Sequence, residues 1–407
     1  MSSTSAPPLG KCMAWKKGGF TFTPYGYINV SASFESQKSS VGDFCVYSLS
    51  PDIDGNSVFH IDPRSTRLGI KADGPGLPGW YGSKTRGVVE IDFQGAYTLR
   101  NRASLLMRKA FVEVYDRKWK FLAGQDWEII SPLFPNTLNY TAGAAVGNIG
   151  FRRAQLRVDR TFYCSPYTRL SLQFGLADNV LRDGFNDPAN VNPNVGDWPI
   201  VEGRIAYSFG AGMSPNGMST NGQPVTIGVS AHIGEQQFDH YRYDDDSRTR
   251  DAHRYRTWSF NLDADVPITG TLRLQGELFV GENLGSFEGG VLQGIDLARR
   301  DTVRAQGGWV GLQYSLTKRL QLNGGCLIDD PFDQDLRSGN ATDNRSRNYS
   351  HCIFVNALYN WSEALMTGFE VSFWRTHWQQ YDPNTGTIAS LRPGETVRYE
   401  FVTRYTF

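Results

Sequence analysis

The chain has 407 residues, and its 41 lysines and arginines balance its 41 aspartates and glutamates, so the net charge is zero. That balance argues against a nucleic-acid-binding protein, which needs a basic surplus. Glycine numbers 43, aromatic residues reach 13% and mean hydropathy is −0.40, and no run approaches the roughly 20 apolar residues of a transmembrane helix.

A polar average does not exclude the membrane, because a transmembrane barrel carries its apolar residues at every second position and scores as polar overall. Alternation of that kind runs through the whole chain. After a Pro/Ser-rich start, 20–38 sets Ile28, Val30, Ala32 and Phe34 on one face, and 39–56 is a long polar loop. Residues 58–73 alternate Leu68, Ile70 and Ala72 with Arg67 and Lys71; Pro63 marks a bulge or strand start, since proline cannot donate to the ladder. A Gly/Pro turn at 74–83 leads to 85–96, where Val89, Ile91 and Phe93 oppose Glu90, Asp92 and Gln94.

The densest pattern lies between Arg108 and Arg160. Ala110, Val112 and Val114 oppose Lys109, Phe111, Glu113 and Tyr115; a corner at Asp116, Arg117 and Lys118 turns the chain into a strand over 119–127. A segment poor in charge and rich in Gly, Ala, Asn and Pro follows at 129–150. Alternation then resumes, with Ala154, Leu156 and Val158 against Arg153, Gln155, Arg157 and Asp159. Further strands are predicted at 168–178, 200–209, 224–238, 255–266, 271–281, 303–316, 319–329, 348–361, 363–380 and 396–407.

The reading is all-β, with about sixteen strands of ~10–14 residues and alternating short corners and long polar loops, as an antiparallel transmembrane barrel requires. The long loops fall at 39–56, 129–150, 179–199, 239–254, 282–302, 330–347 and 382–395. The chain divides into an N-terminal extension at 1–19 and a barrel at 20–407, and the third long loop, 129–150, is expected to fold inward and narrow the pore. Its Gly143, Ala144, Ala145 and Gly147 suit packing against an inner wall. Aromatics at strand ends, among them Tyr97, Trp119, Phe162, Tyr167, Phe209, Trp361 and Trp378, fit an interfacial girdle. The final strand, "VRYEFVTRYTF", must pair with the first, because a barrel leaves no edge free.

Residues 1–9, "MSSTSAPPL", carry no basic region followed by an apolar stretch, so an exported chain would be in its mature form behind a replacement Met. The five cysteines (Cys12, Cys45, Cys164, Cys326, Cys352) have no CxxC spacing, which argues against zinc. Cys326 and Cys352 sit nearly equidistant from the centre of one predicted loop, at heights that would allow a disulfide between adjacent strands.

The terminal strand ending in Phe407 resembles the sorting signal of bacterial outer-membrane proteins. The segments "RSTRLGIKA" (64–72), "GVVEIDFQG" (87–95), "RKAFVEV" (108–114) and "LAGQDW" (122–127) resemble, in that order, the DcaP-like porins. That resemblance implies a sixteen-stranded general porin of the outer membrane, assembled as a homotrimer. Those porins often carry an N-terminal coiled-coil extension, for which residues 1–20 are too short.

If the apolar faces meet lipid, the polar faces line a water-filled lumen. The residues expected to line or constrict it are Arg67, Lys71, Glu90, Asp92, Glu113, Asp126, Glu128, Arg153, Arg157, Arg169, Arg204, Arg273 and Arg398, with Asp126 and Glu128 opposed by Arg153 and Arg157 across an eyelet. The arginines near that level favour small hydrophilic solutes of anionic character. The six histidines are scattered and no HExxH or GxSxG occurs, so neither an enzyme nor a cofactor is expected. The acidic run Asp244, Asp245 and Asp246 reads as a solvated loop before a calcium site. Two alternatives stand beside the passive porin: a plugged structural or adhesive outer-membrane barrel, and a soluble all-β carbohydrate-binding protein.

Overall fold

The computed structural model describes residues 14–40, 43–95, 103–180, 191–194, 197–210, 223–244, 247–296, 299–336 and 344–407. Among them, sixteen wall strands form one antiparallel sheet. They are β1 (Phe20–Glu35), β2 in two pieces (Val58–Asp62 and Arg67–Gly74), β3 (Lys84–Asp92), β4 (Leu106–Tyr115), β5 (Trp119–Trp127), β6 (Arg152–Ser165), β7 (Thr168–Ala177) and β8 (Ile200–Phe209). The wall continues with β9 (Val225–Asp244), β10 (Ser247–Pro267), β11 (Leu272–Glu282), β12 (Arg304–Ser315), β13 (Leu320–Pro331), β14 (Arg345–Asn360), β15 (Leu365–Asp382) and β16 (Gly394–Thr406).

The sheet closes on itself. β1 pairs with β16 from Tyr27↔Thr406 to Glu35↔Arg398, and Phe407 exchanges backbone hydrogen bonds of 3.1 and 3.3 Å with Gly26. Closure gives every wall strand two neighbours, the condition for backbone in hydrocarbon. No helix among the described residues is long and apolar enough to cross a membrane.

The two faces are sorted inside out. Val112, Leu156, Leu278 and Val355 are 60–63% exposed on the outer surface, while Glu113, Gln155, Glu277 and Asn356, each one step along the chain, are buried. A soluble sandwich would bury the first set and wet the second. The outer belt is therefore a lipid-facing surface and the charged set faces the lumen. Trp119, Phe162, Tyr167, Phe209 and Trp361 are exposed near the short-turn end. Trp378, expected among the girdle, is instead buried beneath the first loop, where its Nε1 donates to the Ser48 carbonyl at 3.0 Å.

Several boundaries differ from the sequence reading. Residues 58–73 are two strand pieces, both antiparallel to β1, separated by a tight turn in which Thr66 N–H donates to the Pro63 carbonyl at 3.0 Å. Part of the expected N-terminal extension is ordered as wall: Trp15–Lys17 pairs with Phe20–Phe22 as a short hairpin. Residues 239–244 and 247–254, expected as part of a loop, are strand: β9 and β10 pair continuously from Thr226↔Asp265 to Asp244↔Ser247. Strands that rise above the bilayer have no lipid side and so lose the apolar alternation that would reveal them. The side chains of 239–251, including the acidic run, lie outside the described residues.

The disulfide expectation fails on register. Cys326 is paired with Ile353 and Cys352 with Leu327, so the two thiols project to opposite faces of the sheet, and both are free. A one-residue offset in a strand reverses the face.

Three outcomes check this architecture. Leu278→Arg is expected to cost about 2–4 kcal/mol in urea unfolding from lipid vesicles, the penalty for a guanidinium near the bilayer midplane; an unchanged midpoint would mean that this face does not meet lipid. Maleimide at mildly alkaline pH should label the exposed Cys164 and spare Cys45, whose thiol burial pushes well above its ordinary value. Peptide mapping should show no Cys326–Cys352 link; finding one would overturn the register.

Candidate functional site in the lumen

The third long loop is laid along the inner wall by hydrogen bonds from its own backbone. Ile129 N–H donates to Glu202 on β8 at 2.8 Å, Leu133 N–H to Glu277 on β11 at 2.7 Å, and Leu138 N–H to Glu370 on β15 at 2.7 Å. Ser131 and Thr137 add hydroxyl donors to Glu277 and Glu370 at 2.6 and 2.7 Å, and Trp309 Nε1 donates to Glu277 at 3.1 Å. Each carboxylate is almost wholly buried. A loop inside a barrel must find partners for its backbone groups, and a carboxylate accepts several N–H groups at once.

Beyond Leu138 the loop meets the first long loop and the opposite wall. Asn139 brackets Cys45, accepting from its N–H at 3.1 Å and donating to its carbonyl at 2.8 Å. The Tyr140 hydroxyl donates to Asp92 on β3 at 3.0 Å; burial and then Asp92 push its pKa up to about 12, so it stays a donor. On the return, Ala145 and Gly150 donate to the carbonyls of Glu288 and Phe287 at 2.7 Å each. Gly147, at φ +126°, approaches β12 so closely that a Cβ would lie 2.3 Å from the Gly308 carbonyl oxygen.

Those carbonyls belong to a second inward segment that the sequence reading left as an ordinary outer loop. Leu284 and Phe287 are buried in one cluster with Ile130 and Ile149, and Val291 and Val303 are buried as well. Arg153 holds this junction: its Nη2 donates to the Ser286 carbonyl at 2.7 Å, its Cζ lies 4.2 Å from the Phe287 ring centroid, and its Nε pairs with Glu128.

The residues expected to line the lumen fall into distinct groups. Glu90 and Asp92 share Arg108 at 3.0 and 2.7 Å, and Arg67 stands 3.6 Å from Glu90. Lys71 lies 3.5 Å from Asp73, which also pairs with Arg86 at 2.8 Å, and Arg86 reaches Glu113 at 3.2 Å. Asp126 pairs with Lys109 at 3.0 Å and Arg157 with Asp159 at 2.7 Å. Arg204 holds Asp263 at 2.9 Å, Arg273 holds Asp265 at 2.6 Å, and Arg169 donates to Ser208 at 3.3 Å. Arg398 lies beneath the first loop, bonded to Glu35, Glu400 and the Asp43 carbonyl.

The expected eyelet is not assembled as a pair of opposed walls. Asp126 and Glu128 are not across the lumen from Arg153 and Arg157; β5 and β6 are adjacent, and the register sets Asp126 beside Arg153 and Leu122 beside Arg157. Arg153 and Arg398 are 0 and 1% exposed, so they fasten loops and are withdrawn from the open lumen. Arg108 and Tyr140 join the Glu90–Asp92 group without any sequence expectation. Arg108 comes inward through a bulge, where the register skips from Glu90↔Lys109 to Ile91↔Met107.

Within the lumenal ion pairs, water reaches the two signs unequally. Side-chain exposure is 26% for Arg67 against 7% for Glu90, 29% for Arg86 against 5% for Glu113, 28% for Lys109 against 17% for Asp126, and 30% for Arg273 against 13% for Asp265. Lys71 and Asp73 are equal, and the order reverses for Arg86 against Asp73, at 29 and 34%, and for Arg157 and Lys120 against Asp159, at 11 and 12% against 16%. The surface offered to a solute is thus more cationic than the neutral composition implies.

No protein-family model matches the sequence, and no curated protein does. Among solved structures, the outer membrane channel DcaP of Acinetobacter baumannii superposes with TM-score 0.69 at 16% identity, covering 96% of this chain and 99% of that one. OmpF of Salmonella typhi gives 0.56 at 13% identity, over 97% of this chain and 100% of that one. The anion-selective porin from Comamonas acidovorans gives 0.54 at 12%, over 95% and 100%. The likeness establishes a sixteen-stranded porin-type barrel as the fold.

The carboxylate anchors can be tested directly. Glu277→Ala with Glu370→Ala leaves the loop N–H groups unpaired at about 1–3 kcal/mol each, and amide hydrogen exchange across 129–150 should accelerate while the wall strands stay protected. Exchange at the wild-type rate would show that the loop is held by other contacts.

Proposed function

We propose that this protein is a passive diffusion channel of the bacterial outer membrane, assembled as a homotrimer, that passes small hydrophilic solutes and favours anions. The observation that carries the proposal is a closed barrel, apolar outside and charged inside, in which Arg67, Arg86, Lys109 and Arg273 are wetter than Glu90, Glu113, Asp126 and Asp265. The inward loop serves as the constriction. The water-exposed cations Arg67, Lys71, Arg86, Lys109 and Arg273 lie along the lumenal wall, and a solute passing them is selected by charge. The resemblance to a trimeric porin family, and the superposition on an outer-membrane channel and an anion-selective porin, support the same reading.

One observation favours a plugged barrel: the third loop reaches from Glu202 to Glu370 and on to Asp92, and a second loop joins it inside. Planar-bilayer recording decides between the two. The channel reading expects stepwise openings that close in groups of three. Silence from folded, heat-modifiable protein would sink it and leave the plug standing.

A further inference from the structure

We propose that Arg160 forms a site on the outside of the barrel for the phosphate of an anionic glycerophospholipid in the periplasmic leaflet. Arg160 lies on β6 in phase with Leu156 and Phe162, which are 61 and 40% exposed on the lipid-facing surface. The register sets it between Trp119 on β5 and Leu172 on β7. Its Cζ stands 4.4 Å from the Trp119 ring centroid and 4.8 Å from that of Phe162. Both rings belong to the exposed aromatics near the short-turn end, which faces the periplasm in a barrel of this kind.

The guanidinium has no anion of its own. Among the described residues it makes no ion pair and no hydrogen bond, and its nitrogens stay open at the surface. Asp116, the acid of the adjoining turn, is engaged elsewhere. It accepts from the Lys118 and Trp119 N–H groups at 2.7 and 2.6 Å and from Trp80 Nε1 at 2.9 Å. Asp159, the preceding residue, pairs with Arg157 and Lys120 at 2.7 and 3.0 Å on the lumenal face. The outward positions around Arg160, among them Phe121, Val158 and Leu172, are apolar. A second cation stands close by: the Lys118 carbonyl accepts from the Thr161 N–H at 2.8 Å, and Lys118 is exposed and without an ion pair.

A charge on the lipid face is costly at the bilayer midplane and cheap only near the interface, where it reaches the headgroups. An arginine inside the aromatic belt lays its stem along the wall and turns its head toward the phosphate layer. Its fork of N–H groups fits phosphate oxygens in pairs, which a lysine cannot reproduce. The faces of Trp119 and Phe162 hold that fork in place, so less rotamer freedom is lost on binding. Lys118 adds a second positive charge and thereby favours an anionic headgroup over one carrying its own ammonium. The acyl chains then run along Phe121, Val158 and Leu172. This site lies outside the lumen and does not depend on whether the barrel conducts.

Native mass spectrometry of the full chain, folded in detergent, tests the site by titration with phosphatidylglycerol, phosphatidylethanolamine or glycerol 3-phosphate. Wild type should bind a first phosphatidylglycerol more tightly than phosphatidylethanolamine and should not retain glycerol 3-phosphate, which has no chains for the wall. Arg160→Gln should weaken phosphatidylglycerol binding about tenfold, the loss of a charge-assisted pair, and erase the preference. Arg160→Lys keeps the charge without the fork and should fall between; it also serves if the Gln variant loses heat-modifiability. Arg319→Gln, at an exposed arginine of another short turn, should bind as wild type does. Equal phosphatidylglycerol affinity in wild type and either Arg160 variant, or no preference in wild type, would overturn the site. Glycerol 3-phosphate bound as tightly as phosphatidylglycerol would overturn its assignment to lipid. A phosphatidylglycerol preference without bilayer conductance would instead overturn the channel reading and leave the lipid site in place.

Discussion

A bilayer tolerates no unpaired backbone group, and the rest of this structure follows from that constraint. It demands closure, which the chain achieves by pairing β1 with β16 and tying Phe407 back to Gly26. Closure fixes two faces, and the hydrocarbon outside requires the apolar residue at each alternate position to point outward. Charges at the height of the hydrocarbon are then driven inward, into a space that must also accommodate any loop entering from above. The backbone of such a loop meets the same requirement, and here it is met with the wall's own carboxylates.

The use of those carboxylates has an electrostatic consequence. Glu202, Glu277 and Glu370 accept loop N–H groups, Glu128 holds Arg153, and Glu90 and Asp92 hold Arg108. Acids engaged in this way are buried, whereas Arg67, Arg86, Lys109 and Arg273 keep about a quarter or more of their surface in contact with water. A chain with no net charge thereby offers water more of its lumenal cations than of the acids that pair with them. The field a solute meets depends on which charges stay wet and exert it at short range, more than on the total count.

Much of this was legible in the sequence. Alternation such as Val112 and Val114 against Glu113 located the strands and their lumenal side, and the small, weakly charged 129–150 stood out among polar loops. Strands above the bilayer were not legible, since β9 and β10 run on through a stretch with no lipid face to impose a pattern. Register was not legible either, and a single residue of it moved Cys326 and Cys352 to opposite faces. The dipeptides Arg108-Lys109 and Arg152-Arg153 were the available signals for the arginine cluster: two successive charges cannot both follow the alternation, so one must sit at a bulge or strand end. The inward course of 283–296 had only the weak cue of an apolar, glycine-rich start.

The central claim is that burial of the carboxylates leaves the lumen cationic. It is tested most directly by the reversal potential of the reconstituted channel under a potassium chloride gradient. The account predicts a potential of the sign set by chloride, shrinking as ionic strength rises and the exposed arginines and lysines are screened. A potential set by potassium would contradict it, because the carboxylates assigned here to loop anchoring and ion pairing would then be governing permeation.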